Sequence, residues 1–278
     1  MNGVSRRQAL TGLAVLGLTA SDLGRVVRAQ GPSTAPDLMW PQPVTGIGQA
    51  FPTGEAFLVR ELVGASHGNI DRVKAIVSRQ PELAKASWDW GFGDWESALG
   101  AASHVGNRPI AEYLLEQGAP PTIFSSAMLG HVDVVKAMIA TQPGLQRVRG
   151  PHGIPLLAHA SAGGPTAAPV VAYLESLGGA NDRIPTQSLS PEQRAMTVGR
   201  YVFGSGARDV FVIDDVREVL GITRVGASRR NLLHRGELVF STVGVESVRI
   251  KIIRAGDRVD GLTIADPDVL VSATRERG

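Results

Sequence analysis

The sequence of 278 residues contains no cysteine, which excludes disulfide bonds, a cysteine nucleophile and a lipid-anchored cysteine. Several catalytic and nucleotide-binding signatures are also absent. There is no His-Glu-x-x-His, no Gly-x-x-x-x-Gly-Lys-Ser/Thr and no Gly-x-Gly-x-x-Gly. The sequence therefore predicts a protein that is not an enzyme and that holds no cofactor.

Outside residues 1–29 the chain lacks a clear excess of basic or acidic residues. The chain has 28 basic and 26 acidic residues, and residues 1–29 hold four arginines but only one aspartate. The rest of the chain therefore carries 24 basic against 25 acidic residues. Because a basic surface is the electrostatic mark of nucleic-acid binding, we expect no nucleic-acid partner.

Residues 1–29 have the pattern of an export signal. Arg6 and Arg7 precede an apolar run from Ala9 to Ala20 that is too short to span a bilayer, and we expect cleavage after Ala29. The stretch SRRQAL is similar to a twin-arginine signal, and an ordinary secretory signal is the alternative. Both predict a periplasmic or secreted protein with no stable membrane insertion after cleavage.

Helical segments of about ten residues follow a proline- and glycine-rich lead-in over residues 30–56. Between residues 57 and 181, nine residues recur 62 positions further along the chain, which is close to twice the length of a helical repeat. They are Ala65, Gly68, Asp71, Val73, Lys74, Ala75, Gln80, Pro81 and Leu83, matched by Ala127, Gly130, Asp133, Val135, Lys136, Ala137, Gln142, Pro143 and Leu145. The spacing predicts about four helix pairs.

Three stretches of this region resemble ankyrin repeats. Residues 126–136, SAMLGHVDVVK, resemble the passage from the first helix through a Gly-His turn into the second. Residues 110–119, IAEYLLEQGA, resemble the end of a repeat, and residues 155–160, PLLAHA, its opening. The resemblance implies an N-terminal ankyrin-like α-solenoid over 57–181 that binds another protein along its concave face and its turns.

The C-terminal third has the period-two pattern of short strands. A linker over 182–191 precedes an all-β domain over 192–278, for which the sequence predicts a small antiparallel barrel or sandwich. Residues 198–203, VGRYVF, and later strands with Arg249, Lys251 and Arg254 resemble the lipocalin-like β domains of exported hydrolases. An interior filled by side chains such as Phe240 and Ile250 would favour a binding or spacing role, and a polar cavity would favour a small-ligand carrier.

Three of the four tryptophans lie in one short stretch, WDWGFGDWE, which spans residues 88–96. Its glycines predict a tight turn, and its aromatic residues either form a partner-binding edge or pack inward between the first repeats and a neighbouring segment. The candidate partner-binding residues are Trp88, Trp90, Phe92, Asp94 and Trp95. For Asp94 and Glu96 we expect one or the other to cap the following helix, and for Asp89 to support the turn.

The six histidines do not form a metal-binding motif in the sequence. No pair has ligand spacing on one helix face, and His67 and His131 fall at turns, where an imidazole commonly bonds to the backbone. We therefore expect no catalytic, cofactor or metal residues. The predicted function is an exported, non-enzymatic module that binds another protein. The alternatives are a small-ligand carrier or enzyme that uses the β domain, and self-association.

Overall fold

The computed structural model describes residues 52–182 and 184–277. The predicted export signal at 1–29 lies outside the described residues, and so does the lead-in up to residue 51. Among the described residues, no helix combines the length and the apolar character that crossing a membrane requires. Export through a twin-arginine signal therefore stays a prediction.

Eight helices make up the helical part of the chain, residues 56–177. They are α1 (Ala56–Ala65), α2 (Ile70–Val77), α3 (Ala98–His104), α4 (Arg108–Glu116), α5 (Ile123–Leu129), α6 (Val132–Thr141), α7 (Leu156–Ala162) and α8 (Ala168–Leu177). Single turns of 3₁₀ helix lie between some of them, at Pro81–Lys85, Leu145–Arg147, Pro151–Gly153 and Gly164–Ala167.

Polar residues at the helix starts explain where several of these helices begin. The side chains of Asn69, Asn107 and Thr122 accept hydrogen bonds from backbone N–H groups in the first turns of α2, α4 and α5. At the end of α5, Gly130 has a φ of 81°, a conformation that glycine adopts without strain. Small buried residues such as Ala102 and Ala127 let neighbouring helices pack closely.

The predicted ankyrin-like solenoid is wrong. In a solenoid each repeat contacts only the repeats next to it. Here α3 packs directly against α7, although the α5–α6 pair lies between them in the chain. The loop after α3 meets the end of α7 so closely that a Cβ atom on Gly106 would lie 2.1 Å from the carbonyl oxygen of Ala162. The helices therefore cluster around shared contacts and do not form a linear array.

Eight antiparallel strands form a closed barrel over residues 199–275. After the hairpin strands β1 (Ser87–Asp89) and β2 (Trp95–Ser97), the barrel strands are β3 (Gly199–Val202), β4 (Val210–Val216), β5 (Val219–Arg224), β6 (Arg230–Gly236), β7 (Val239–Thr242), β8 (Val245–Ala255), β9 (Arg258–Asp266) and β10 (Val269–Arg275). Each strand pairs with the next along the chain, and β10 pairs with β3 to close the sheet. Of the two predicted all-β architectures, this is the barrel.

Side chains fill the interior of the barrel. Strand β8 shows the alternation that places them there, because Val248, Ile250 and Ile252 are buried whereas Arg249 and Lys251 between them are exposed. An eight-stranded barrel is just wide enough for its own side chains to fill. The largest of those that are fully buried are Tyr201, Ile213, Ile222, Phe240 and Ile250. This packing does not favour a small-ligand carrier that uses the barrel interior.

The helical part and the barrel belong to one compact unit. Helix α9 (Pro191–Thr197), which the side chain of Ser190 caps, precedes the first barrel strand at the end of the predicted linker. The backbone of Gly153 in the helical part approaches that of Gly244 in the barrel, where a Cβ atom on Gly153 would lie 3.2 Å from the amide nitrogen of Gly244. A candidate site lies beside this contact.

Candidate metal centre

The tryptophan-rich stretch is a two-stranded hairpin, β1–β2, in which Trp88 pairs with Glu96. Three consecutive residues of its turn, Gly91 to Gly93, have positive φ values, and the carboxylate of Asp89 accepts hydrogen bonds from the amides of Gly91 and Gly93. The prediction that Asp89 supports the turn is confirmed. Such a turn needs glycine at two of its positions, because only glycine adopts these conformations freely.

Four of the five candidate partner-binding residues point away from solvent to some degree. Trp88 and Trp90 pack against the core of the helical part, and Phe92 packs against the core of the barrel. Asp94 is buried, whereas Trp95 is 62% exposed. The hairpin therefore lies between the two cores, and Trp95 is the member of the set that is available to a partner.

Neither Asp94 nor Glu96 caps the following helix, so that prediction is wrong. The side chain of Ser97 caps α3 by accepting a hydrogen bond from the amide of Gly100. The carboxylates of Asp94 and Glu96 turn instead towards histidines from other parts of the chain. Their role is set by tertiary contacts that the local pattern does not show.

Four side chains converge beside the hairpin: His67, Glu96, His104 and His152, here called the four-residue cluster. One potential ligand atom from each lies within 4.8 Å of all the others. Nε2 of His104 lies 2.9 Å from Oε1 of Glu96 and 3.2 Å from Nε2 of His67. Nε2 of His152 lies 3.4 Å from the same Oε1. Three imidazole nitrogens and one carboxylate oxygen thus face a common point.

The four members come from four separate elements. His67 follows the end of α1, Glu96 is in β2 and His104 is the last residue of α3. His152 lies in the 3₁₀ turn Pro151–Gly153 with a φ of 59°, a left-handed conformation that is uncommon for residues other than glycine. Backbone strain of this kind persists only where surrounding contacts hold it, and it is frequent at functional sites.

Hydrogen bonds on the outer side of the cluster hold two of its members in place. Nδ1 of His67 lies 3.1 Å from the carbonyl oxygen of Gly64 and must donate to it, which leaves Nε2 of the neutral ring with a free lone pair. The indole N–H of Trp90 donates to Oε2 of Glu96 over 2.7 Å, and Oε1 faces His104 and His152. Both contacts orient a potential ligand atom towards the common point.

His152 is held by a chain of charged groups that reaches into the barrel. Its Nδ1 lies 2.7 Å from Oδ2 of Asp94, and its backbone amide donates to Oδ1 of the same carboxylate over 2.9 Å. The guanidinium of Arg230, in barrel strand β6, forms an ion pair with Asp94 and also donates to the carbonyl oxygen of Val243. A carboxylate on the far nitrogen of a histidine is a usual support for a metal ligand.

The pKa values of two members of the cluster, Glu96 and His152, and of the neighbouring Asp94 are shifted from their ordinary values. Burial opposes ionisation of Glu96, but hydrogen bonds from His104 and His152 outweigh it and hold the pKa of Glu96 at about 2. Burial likewise opposes the charging of His152, but its contacts with Asp94 and Glu96 raise its pKa to about 9. The pKa of Asp94 is lowered despite its burial, chiefly by His152. Without a metal ion, then, a protonated His152 lies between two carboxylates at neutral pH.

A fourth histidine, His159, lies next to the cluster without joining it. Its ring is fully buried, 6.2 Å from the His104 ring and 4.7 Å from the Phe124 ring between centroids. Neither of its nitrogens has a hydrogen-bond partner among the described residues. Burial is the main reason why its pKa falls to about 4, so that the ring is neutral.

A cleft opens over the cluster between the helical part and the barrel. Its volume is about 450 Å³. His67 and His152 line it and are 34% and 27% exposed, whereas Glu96 is fully buried and the side chain of His104 is 11% exposed. The remaining lining residues are Trp90, Ser228, Arg229, Arg230, Asn231 and Val243. The cluster therefore has a buried side, formed by Glu96 and His104, and a side formed by His67 and His152 that solvent can reach.

Sequence reasoning predicted no metal residues and missed this cluster. Its members are spread from residue 67 to residue 152, so that no two of them show ligand spacing along one helix. One signal was present, since His67 and His104 fall at matching turns of the first two helix pairs. Comparison with known proteins finds no matching family model and no match among curated proteins.

Proposed function

We propose that the protein binds one divalent transition-metal ion, with Zn²⁺ as the reference ion, through the four-residue cluster. The ligand atoms are Nε2 of His67, His104 and His152, and Oε1 of Glu96. The observation that carries the proposal is that one potential ligand atom from each of these four residues lies within 4.8 Å of the others. Imidazole nitrogen together with carboxylate oxygen is a donor set that suits zinc and its neighbours in the first transition row.

The spacing of the donor atoms supports a metal centre. In a tetrahedral zinc site the ligands lie about 2.0 to 2.1 Å from the ion, so that neighbouring ligand atoms are about 3.3 Å apart. The nearest separations in the cluster are 2.9, 3.2 and 3.4 Å. Small movements of side chains would therefore suffice to place one ion among the four atoms.

The outer hydrogen bonds also support it. Metal-bound histidines usually donate their second N–H to a carbonyl or a carboxylate, which fixes the ring and its tautomer. His67 has the carbonyl of Gly64 in this position, and His152 has the carboxylate of Asp94. A hydrogen-bonded network without a metal is the competing interpretation, in which His104 donates to Glu96 and His152 remains charged.

The two interpretations differ in a direct measurement. Full-length protein freed of metal with a chelator is titrated with Zn²⁺ by calorimetry, and the bound metal is counted by elemental analysis. We expect one ion per chain and a dissociation constant below about 1 μM, as for sites with several nitrogen ligands. Failure to bind Zn²⁺ even at about 100 μM would leave the hydrogen-bonded network as the correct description.

The chain offers a matched control for the ligand variants. His131 lies at a helix-pair turn like His67, but it is exposed and its side chain caps nothing. We expect His67→Ala and His104→Ala to weaken Zn²⁺ binding by about 100-fold, because each removes one ligand. His131→Ala should bind as wild type does. Equal affinities for all three variants would exclude the cluster as the site.

A further inference from the structure

We propose that the metal ion and Arg230 together bind a small anionic ligand, a carboxylate or phosphate group, in the cleft between the helical part and the barrel. This inference rests on the proposed metal centre. An oxygen of the anion would complete the coordination of the ion from the cleft side, and the guanidinium would hold a second oxygen.

The position of the ligands determines where an additional group can approach the ion. Glu96 and His104 lie on the buried side, whereas His67 and His152 line the cleft. A metal ion bound by the four residues would thus be shielded from solvent on the side of Glu96 and His104, and a ligand could reach it from the cleft. Zinc is most often four-coordinate but its coordination can expand to five, which is the position that an anion from the cleft would take.

Arg230 lines the same cleft and keeps unused donors. Its Nη2 donates to Val243 and pairs with Asp94, but its buried Nε has no hydrogen-bond partner among the described residues. Its Nη1 lies 3.5 Å from Nδ1 of His152, and that nitrogen cannot accept while it donates to Asp94. A buried guanidinium with donors left over is costly unless an acceptor is supplied.

A bound dication would give the cleft a net positive charge. Glu96 and Asp94 are buried carboxylates, and Arg230 is the buried cation that pairs with Asp94. With a bound dication and neutral histidine ligands, these three groups add up to one positive charge in a partly desolvated cleft, where an anion is attracted far more strongly than in open solvent. Anion binding should therefore depend on the metal.

Arg229 lines the cleft beside Arg230 and differs from it in an informative way. Its Nε donates to Asp214 over 2.7 Å and its Nη2 to the carbonyl of Val219 over 2.7 Å, while its Nη1 contacts Asn231. These contacts engage every nitrogen of its guanidinium within the barrel. Arg229 is thus a matched control for an arginine that lies in the cleft but whose three guanidinium nitrogens all have partners already.

The test uses Co²⁺ as a coloured substitute for zinc in the full-length protein. Inorganic phosphate and acetate are added separately to Co²⁺-loaded protein, and the visible spectrum, which depends on the coordination of Co²⁺, is followed. We expect at least one of the two anions to change the spectrum in a saturable way. Calorimetry should give an affinity at least about tenfold higher with metal than without it.

Other results are equally decisive. A Co²⁺ site that forms but whose spectrum neither anion alters would overturn the anion proposal and leave the metal centre standing. Equal anion affinity with and without metal would also overturn it, because the arginines alone would then account for binding. Failure of Co²⁺ and Zn²⁺ to bind at all would remove the metal centre itself, and with it this inference.

Substitutions locate the second contact of the anion. At saturating Co²⁺, we expect Arg230→Gln to weaken anion binding by about tenfold or more, the usual scale for losing one charge-assisted contact. Arg230→Lys keeps the positive charge beside Asp94 and serves as the control for loss of the fold in Arg230→Gln. Arg229→Gln should change the affinity by less than about threefold. An Arg229→Gln effect as large as that of Arg230→Gln would contradict the assignment.

Discussion

Asp94 and Arg230 form a buried ion pair although 136 positions separate them in the chain. One lies in the turn of the tryptophan-rich hairpin and the other in barrel strand β6. Through Asp94, the same pair holds Nδ1 of His152. The contact thus joins the helical part, the barrel and the proposed metal centre in a single network.

Breaking this pair should destabilise the protein. Asp94→Asn leaves the charge of Arg230 buried without its partner, and we expect a loss of about 3 kcal/mol in the free energy of unfolding. Urea denaturation of metal-free protein measures it. The double variant Asp94→Asn with Arg230→Met should be more stable than Asp94→Asn alone, since it also removes the unpaired charge. A single variant as stable as wild type would show that the pair does not matter to folding.

Trp90 should affect the metal through Glu96. Trp90→Phe keeps an aromatic ring but removes the N–H that donates to Oε2 of Glu96. We expect Zn²⁺ affinity to fall by about tenfold, the scale reported for outer contacts that orient ligands. Trp95→Phe is the control, because Trp95 is exposed in the same hairpin. Identical Zn²⁺ affinities for the two variants would argue against an orienting role for the indole.

Gly106 tests the close approach of α3 and α7. Its φ is 73°, and a Cβ atom there would lie 2.1 Å from the carbonyl oxygen of Ala162. Gly106→Ala should therefore cost about 3 kcal/mol or more, from backbone strain together with a clash against the backbone. Gly144→Ala is the matched control, since Gly144 also has a positive φ but an added Cβ would meet no atom within 4 Å.

The comparison of these two variants separates strain from contact. We expect Gly144→Ala to cost about 1 kcal/mol, the strain alone. Thermal or urea unfolding measures both. Equal losses of unfolding free energy in the two variants would mean that the loop after α3 does not lie against the end of α7.

His159 should make the metal-free protein sensitive to acid. Burial lowers its pKa in the folded state to about 4, whereas the unfolded chain has the ordinary value of 6.5. Stability from this group is thus complete above pH 6.5 and is lost as the pH falls towards 4, on the order of 2 kcal/mol. His159→Leu should lose less stability over that range. If the difference in unfolding free energy between the two proteins did not change between pH 7 and 4, His159 would not be buried and neutral.

The sequence predicted much of the local structure, but the predicted packing of the helix pairs into a linear solenoid was wrong. The repetition at 62 positions predicted the helix pairs, and the period-two pattern predicted the barrel strands. The similarity between 65–83 and 127–145 is real as a local pattern, yet it does not decide whether the pairs stack in line. That depends on contacts such as Gly106 with Ala162, which lie far apart in the sequence.

The candidate site was harder still to predict. Local motifs reveal metal ligands when two of them share a helix or a turn. Here His67 and His104 are 37 positions apart, and His152 reaches them only because the 3₁₀ turn at Pro151–Gly153 folds back onto the hairpin. The tryptophans singled out the hairpin that contains Glu96, but as a candidate partner-binding edge and not as part of a metal centre. Binding of another protein, for which Trp95 is exposed, stays a prediction.

The spread of the four-residue cluster has a consequence for a chain that has no cysteine. His67, Glu96, His104 and His152 span a long stretch of chain, from the end of α1 to the segment before α7. An ion held by all four would act as a reversible cross-link that closes loops in the native chain and is absent from the unfolded one. Coordinate bonds would then supply the kind of restraint that disulfides give to other chains.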